Sequence, residues 1–285
     1  MTATSTETEP HVPTHILDMR GESVPLRTLV PDAWRGRGLI AMLAKRDFQS
    51  KYRSSSLGLL WSVLLPFVQG TVLAVVFTHV VKIHTGTVSY PMYVLMGSTM
   101  WSYFTIAFGA ASSIIVGQSA LAGKLYFPRS LLSAVPVLSA LPSYLLSTAL
   151  LFAMMPLFHV HYTWRLVIFP VVVLLLVVFT VVLASIIAIL HVYVRDTAFA
   201  VTAGMGIWYY GTPIIYPITL TKSLQHVMVY NPMVGVVQLQ HWVFFGDSLG
   251  PLRTPLIITC VWIVVLTGIA LLVYRRHERI ACDRL

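Results

Sequence analysis

The segment GQSALAGKL, residues 117–125, comes nearest in this chain to a phosphate-binding loop. Such a loop sets four residues between two glycines and follows its lysine with Ser or Thr. Backbone N–H groups then curl around the phosphates and a hydroxyl reaches magnesium. Here five residues separate Gly117 from Gly123, and Leu125 follows Lys124. No strand-like run leads into the segment. We therefore expect neither ATP nor magnesium on this chain. Lys124 needs another explanation, and so does the stretch it opens, KLYFPRSLL (124–132). Two basic residues, a Tyr-Phe pair and a proline interrupt long apolar sequence there.

Other reactive groups are sparse. All ten Asp and Glu fall outside the apolar runs, whereas ion-coupled carriers usually place an ionisable group within the membrane. Asp47, Asp196 and Asp247 stand isolated in the sequence, so the clustered carboxylates of an acid–base or metal-dependent membrane enzyme are missing. His159 and His161 are two apart, which fits neither the i, i+4 helical pair nor a larger ligand set. His79 and His191 sit near run ends, as interfacial histidines do. We expect no catalytic residue, no metal site and no cofactor. A pathway without an energy source points to a separate energising subunit.

The elements that must position these residues follow from composition. Of 285 residues 57% are hydrophobic and only 10% charged, against roughly 25% charged in a soluble domain. Six runs lack Lys, Arg, Asp and Glu: 57–81, 91–116, 131–158, 166–191, 197–216 and 255–274. Each reaches the roughly 20 residues that cross a bilayer core as a helix. The expected fold is an all-α integral membrane protein with six transmembrane helices. Residues 1–33 read as a flexible cytoplasmic tail, 34–53 as an amphipathic interfacial helix, and 275–285 as a basic tail. If the N-terminus is inside, 15 of the 19 Lys and Arg lie on the inner side. Only Lys82, Arg165, Lys222 and Arg253 lie outside. That asymmetry puts both termini in the cytoplasm and Lys124–Leu132 with them. The basic residues are spread between runs rather than gathered in one patch, which argues against nucleic acid. Cys260 and Cys282 read as free thiols. Residues 217–254 are external and moderately apolar, and Asn231-Pro232 has the form of a helix start. The run after it is too short to span. We expect a re-entrant pair of helices near a pore mouth.

Five motifs, taken together and in order, resemble the permease subunits of ABC transporters that export lipid-linked polysaccharides such as O-antigen, teichoic acid, capsule and galactan. They are RDFQSKYRSSSLGLLWSVLLPFVQ (46–69), GKLYFPRSLLSAVPVLSAL (123–141), VRDTAFAV (194–201), TPIIYP (212–217) and NPMVGVVQLQHWVFFG (231–246). The resemblance implies a homodimer of six-helix subunits in a bacterial plasma membrane. Two cytoplasmic ATPase subunits would bind ATP and Mg. It also implies a coupling helix between spans two and three that docks the ATPase, here Lys124, Tyr126, Phe127, Pro128 and Arg129. Asn231 and Pro232 would fall at the external gate. His241 stands where the family often has Arg.

A polar polymer needs a wet tunnel, and sugars stack their C–H faces on aromatic rings. Trp101, Tyr103, Phe104, Trp208, Tyr209, Tyr210 and Tyr216 offer such rings, although an interfacial aromatic belt accounts for them equally well. A lipid carrier's pyrophosphate would need cations among the membrane lipids of the inner leaflet. Arg46, Lys51 and Arg53 have the right depth, as positive-inside anchors also do. A permease for a drug or small lipid stays open at this point, as does a membrane enzyme acting on polyprenyl-linked sugars.

Overall fold

A computed structural model describes residues 26–53, 58–81, 88–117, 132–194, 196–220, 224–246 and 250–283. Among these residues the chain is helical, with no strand. The helices are α1 (Leu26–Tyr52), α2 (Leu60–Val76), α3 (Tyr90–Ser112), α4 (Ile114–Gly117), α5 (Ala134–Met154), α6 (Phe169–Tyr193), α7 (Thr197–Tyr210), α8 (Gln225–Met228), α9 (Pro232–Phe245) and α10 (Arg253–Asp283). A π-helical turn, Phe77–Val81, ends α2, and 3-10 turns flank the α5–α6 connection.

An apolar solvent explains several of these helices better than intrinsic propensity does. α6 is built largely of Val, Leu and Ile. β-Branched residues disfavour helix in water, but in hydrocarbon every backbone group must be paired within its own segment. Hydroxyls obey the same rule. Thr99 donates to Leu95 O, Thr180 to Leu176 O and Ser185 to Val181 O, each at 2.7 Å.

Each of the six charge-free runs is occupied by helix. By length and composition three helices suffice to cross a membrane: 134–158, 164–193 and 253–273. α2 contributes a shorter apolar stretch, Val63–His79. α3 has 23 residues but carries Ser, Thr, Tyr and Gly, because it is the central helix and faces protein nearly all round. It packs against α2, α5, α6, α7 and α9. The expected second run ends early, at Ser113, where the backbone turns before the single turn of α4.

At the N-terminus α1 begins at Leu26, eight residues before the expected start at Trp34, and takes in Pro31. Its buried side chains Ile40, Leu43 and Ala44 form a small apolar cluster with Ile114, Ile115, Leu132, Val135, Ala188 and Ile189. α1 thereby closes one end of the bundle. In the expected re-entrant segment, a 3-10 turn (Ile218–Leu220) and α8 lead to α9. α9 is wrapped by protein from Met233 to His241.

Candidate functional site

The sequence pointed to two aromatic groups, and the fold brings most of them together. Trp208 of α7 lies edge-on to Trp101 (6.1 Å) and Phe104 (5.5 Å) of α3 and to Phe179 of α6 (6.3 Å). Tyr209 lies 5.6 Å from Trp101. These edge-to-face pairs suit the ring quadrupoles. Trp101, Phe104 and Tyr209 are buried in this packing, and Trp208 is half-buried. Tyr103 leaves the group. One residue along a helix turns the side chain by about 100°, so Tyr103 stacks on Tyr144 of α5 at 5.0 Å and donates to Val137 O. Tyr210 is 65% exposed, and the half-buried Tyr216 donates to Tyr210 O. Within the single chain, Tyr210 is thus the most open ring of the set.

Asn231 is the polar node at the far end of α7. Its Oδ1 accepts from Met233 N, capping α9, and from the Trp208 indole N–H at 2.9 Å. Its Nδ2 donates to Gly211 O and to Thr212 Oγ1, both at 3.0 Å. One side chain ties the end of α7 to the start of α9 and fixes the Trp208 ring. Pro232 fills the first turn of α9, where no N–H is needed, and its carbonyl accepts from Thr259 of α10. Beside it, Tyr93 of α3 donates to Pro213 O and Tyr216 O, and Tyr90 to Ile215 O, fixing the 213–216 turn.

His241 is buried with its ring 4.2 Å from that of Tyr93, and neither ring nitrogen has a hydrogen-bond partner among the described residues. Its neighbour Gln240 is engaged at both ends of its amide. Tyr144 donates to Gln240 Oε1 at 3.2 Å, and Gln240 Nε2 donates to Met96 O at 3.1 Å, joining α5, α9 and α3.

The basic residues of α1 separate. Arg46 and Arg53 are exposed. Lys51 pairs with Asp47 at 2.6 Å and donates to Ser139 Oγ of α5 at 3.0 Å. The Ser139 hydroxyl donates to Asp47 in turn. One turn along α5, Ser143 Oγ lies 3.0 Å from Tyr52 OH. Sequence reasoning took Asp47 for an isolated acid, although its i, i+4 spacing from Lys51 was the available signal. Ser139 gave none, because its partner is 92 residues away. Lys124, Tyr126, Phe127, Pro128 and Arg129 lie outside the described residues. Among the described residues no cluster of His, Cys, Asp or Glu could hold a metal, and Cys260 is an exposed free thiol.

A helical bundle with apolar, outward-facing helices and an interior of packed aromatics defines a multi-pass membrane protein. Comparison with known proteins gives the family. Residues 38–245 match the ABC-2 type transporter family, and the chain belongs to it. The chain is 29% identical over 256 residues to the O-antigen export system permease protein RfbA of Myxococcus xanthus, covering 89% of this chain and 98% of that protein. It is 21% identical over 238 residues to a protein of the same description from Klebsiella pneumoniae, covering 82% and 90%. A second Klebsiella pneumoniae protein so described is 22% identical over 218 residues, covering 74% and 82%.

Proposed function

We propose that this chain is the membrane subunit of an ATP-driven exporter that moves a lipid-linked polysaccharide outward across a bacterial plasma membrane. It works as a homodimer with two copies of a cytoplasmic ATPase. The observation that carries this reading is similarity along almost the whole length of the Myxococcus xanthus O-antigen export permease. Similarity that covers 98% of a relative takes in the helical frame and its connections, not one shared motif.

Under this reading both termini are cytoplasmic, and α1 lies at the inner face with Arg46, Lys51 and Arg53. The segment holding Lys124, Tyr126, Phe127, Pro128 and Arg129 docks the ATPase. The open faces of Tyr210, Tyr216 and Trp208 serve the polymer path. Trp101, Phe104 and Tyr209 set the angle of α7 from behind, and Tyr103 braces α3 on α5. Asn231 and Pro232 hold the outer ends of α7 and α9. ATP and Mg belong to the partner subunit.

The test is a clean deletion of the chain in its own host, with lipid-linked glycan measured in inside-out and right-side-out vesicles. Polymer should accumulate on the cytoplasmic face and disappear from the outer face, and the wild-type chain should restore it. Unchanged polymer display, with loss of a small lipid or drug efflux instead, would reassign the cargo.

A further inference from the structure

The seam that α1 forms with α5, backed by α2 and α3, holds a cavity of about 30 Å³, lined among others by Lys51, Tyr52, Thr99, Ser139, Ser143 and Ser147. Ser139, Ser143 and Ser147 repeat every fourth residue, so their hydroxyls form one row along α5. A row of hydroxyls leading away from a lysine is unusual lining for a seam at the edge of a membrane bundle. The volume accommodates about one water and no headgroup.

What fills the head of the row is Asp47. Its carboxylate receives the Lys51 ammonium at 2.6 Å and the Ser139 hydroxyl, and Ser139 also accepts from Lys51. An ammonium and a hydroxyl converging on one oxygen is the donor set that a phosphate oxygen takes. Lys51 and Asp47 retain 36% and 25% exposure, so the pair is within reach of the surrounding medium.

We propose that this seam is a binding site for the phosphate group of a lipid, and that Asp47 occupies it as an internal substitute while the site is empty. An incoming phosphate displaces the carboxylate from Lys51 and Ser139. The seam opens as α1 lifts from α5, and the hydroxyl row meets the polar headgroup. The assignment to a transported carrier rests on the function proposed above, whereas the phosphate site itself does not. It also divides the basic residues of α1. Lys51 is the contact controlled by Asp47, while Arg46 and Arg53, seven residues apart, share another face of α1 and line a separate open groove.

A structural staple and a masked site respond to Asp47→Asn with opposite signs. Asn is isosteric and still accepts from both donors, so the fold is kept, but it releases the charge of Lys51. The permease–ATPase complex is held in dodecyl maltoside, which carries no phosphate, and titrated with phosphatidylglycerol or with polyprenyl diphosphate, and bound lipid is counted by native mass spectrometry. Asp47→Asn should tighten phosphate-lipid binding on the order of threefold, in line with a partly exposed ion pair. Asp47→Glu should change it little, and Asp47→Asn with Lys51→Gln should lose the gain. A gain confined to polyprenyl diphosphate identifies the carrier as the ligand. A gain for phosphatidylglycerol keeps the site, assigns it to bulk lipid, and leaves the cargo question to the vesicle assay. If Asp47→Asn leaves the binding of both lipids unchanged or weaker while the complex melts at its usual temperature, the proposal is overturned.

Discussion

α9 and α10 are consecutive helices of similar apolar character, yet they live in different surroundings. α9 has 14 residues and is buried from Met233 to His241. α10 has 31, and only 11% of its apolar window is buried. The contrast shows that a short apolar helix can be housed in protein while the long one beside it is left open. A segment too short to span leaves helix ends and loops in hydrocarbon, which is tolerated only where protein covers them. α3, α6 and α10 cover α9, and Asn231 and Thr259 satisfy its first turn. α10 is long enough to pair its own backbone across the bilayer. It can present Ile257, Val261, Val264, Val265 and Leu272 outward, to lipid or to a second subunit.

The sharpest way to break this comparison is to push the two helices apart. A Cβ on Gly235 would lie 2.2 Å from Thr259 Oγ1 and 2.5 Å from Pro255 O. The second atom is backbone and cannot step aside, so Gly235→Ala should cost about 3 kcal/mol. Thermal unfolding of the purified protein should show a large drop, with little protein recovered. Wild-type stability would mean that α9 and α10 are not in this contact.

A smaller effect tests the start of α9. Asn231→Ala removes the helix cap and the acceptor of the Trp208 indole, a loss of about 2 kcal/mol. Asn231→Asp keeps the capping Oδ1 but sets a carboxylate oxygen against Gly211 O in place of a donated N–H, so it should recover only part of what Ala loses. If Ala and Asp behave alike, the cap is not what matters there. The smallest effect belongs to α10. Val264, 72% exposed, should tolerate Ala with a change within about 0.5 kcal/mol. Substitution that leaves the melting point alone but dissociates a dimer would place the two-fold axis along α10 and sharpen the contrast further.

Much of the frame was legible in the sequence, because charge-free runs and helix starts are local signals. Asn231-Pro232 announced α9 correctly, down to the capping side chain. The complete burial of α9 was not legible, since an apolar run does not say whether lipid or protein surrounds it. Pro31 reads as a breaker in sequence, yet α1 begins at Leu26 and runs through it. The aromatic groups were found by type, but their packing depends on helix faces. Trp101 and Tyr103, two residues apart, look equivalent in sequence and face different partners in the fold. The Asp47–Ser139 contact lay beyond reach, because no local pattern links residues 92 apart.

The central claim is that this chain supplies a path and a separate subunit supplies the energy. The most direct measurement reconstitutes the permease alone, the ATPase alone and the two together in proteoliposomes loaded with lipid-linked polysaccharide. ATP hydrolysis and glycan translocation are recorded in each. Translocation should appear only with both proteins and ATP, and Tyr126→Ala with Phe127→Ala should abolish it while ATPase activity persists uncoupled. Translocation or ATP hydrolysis by the permease alone would contradict the account.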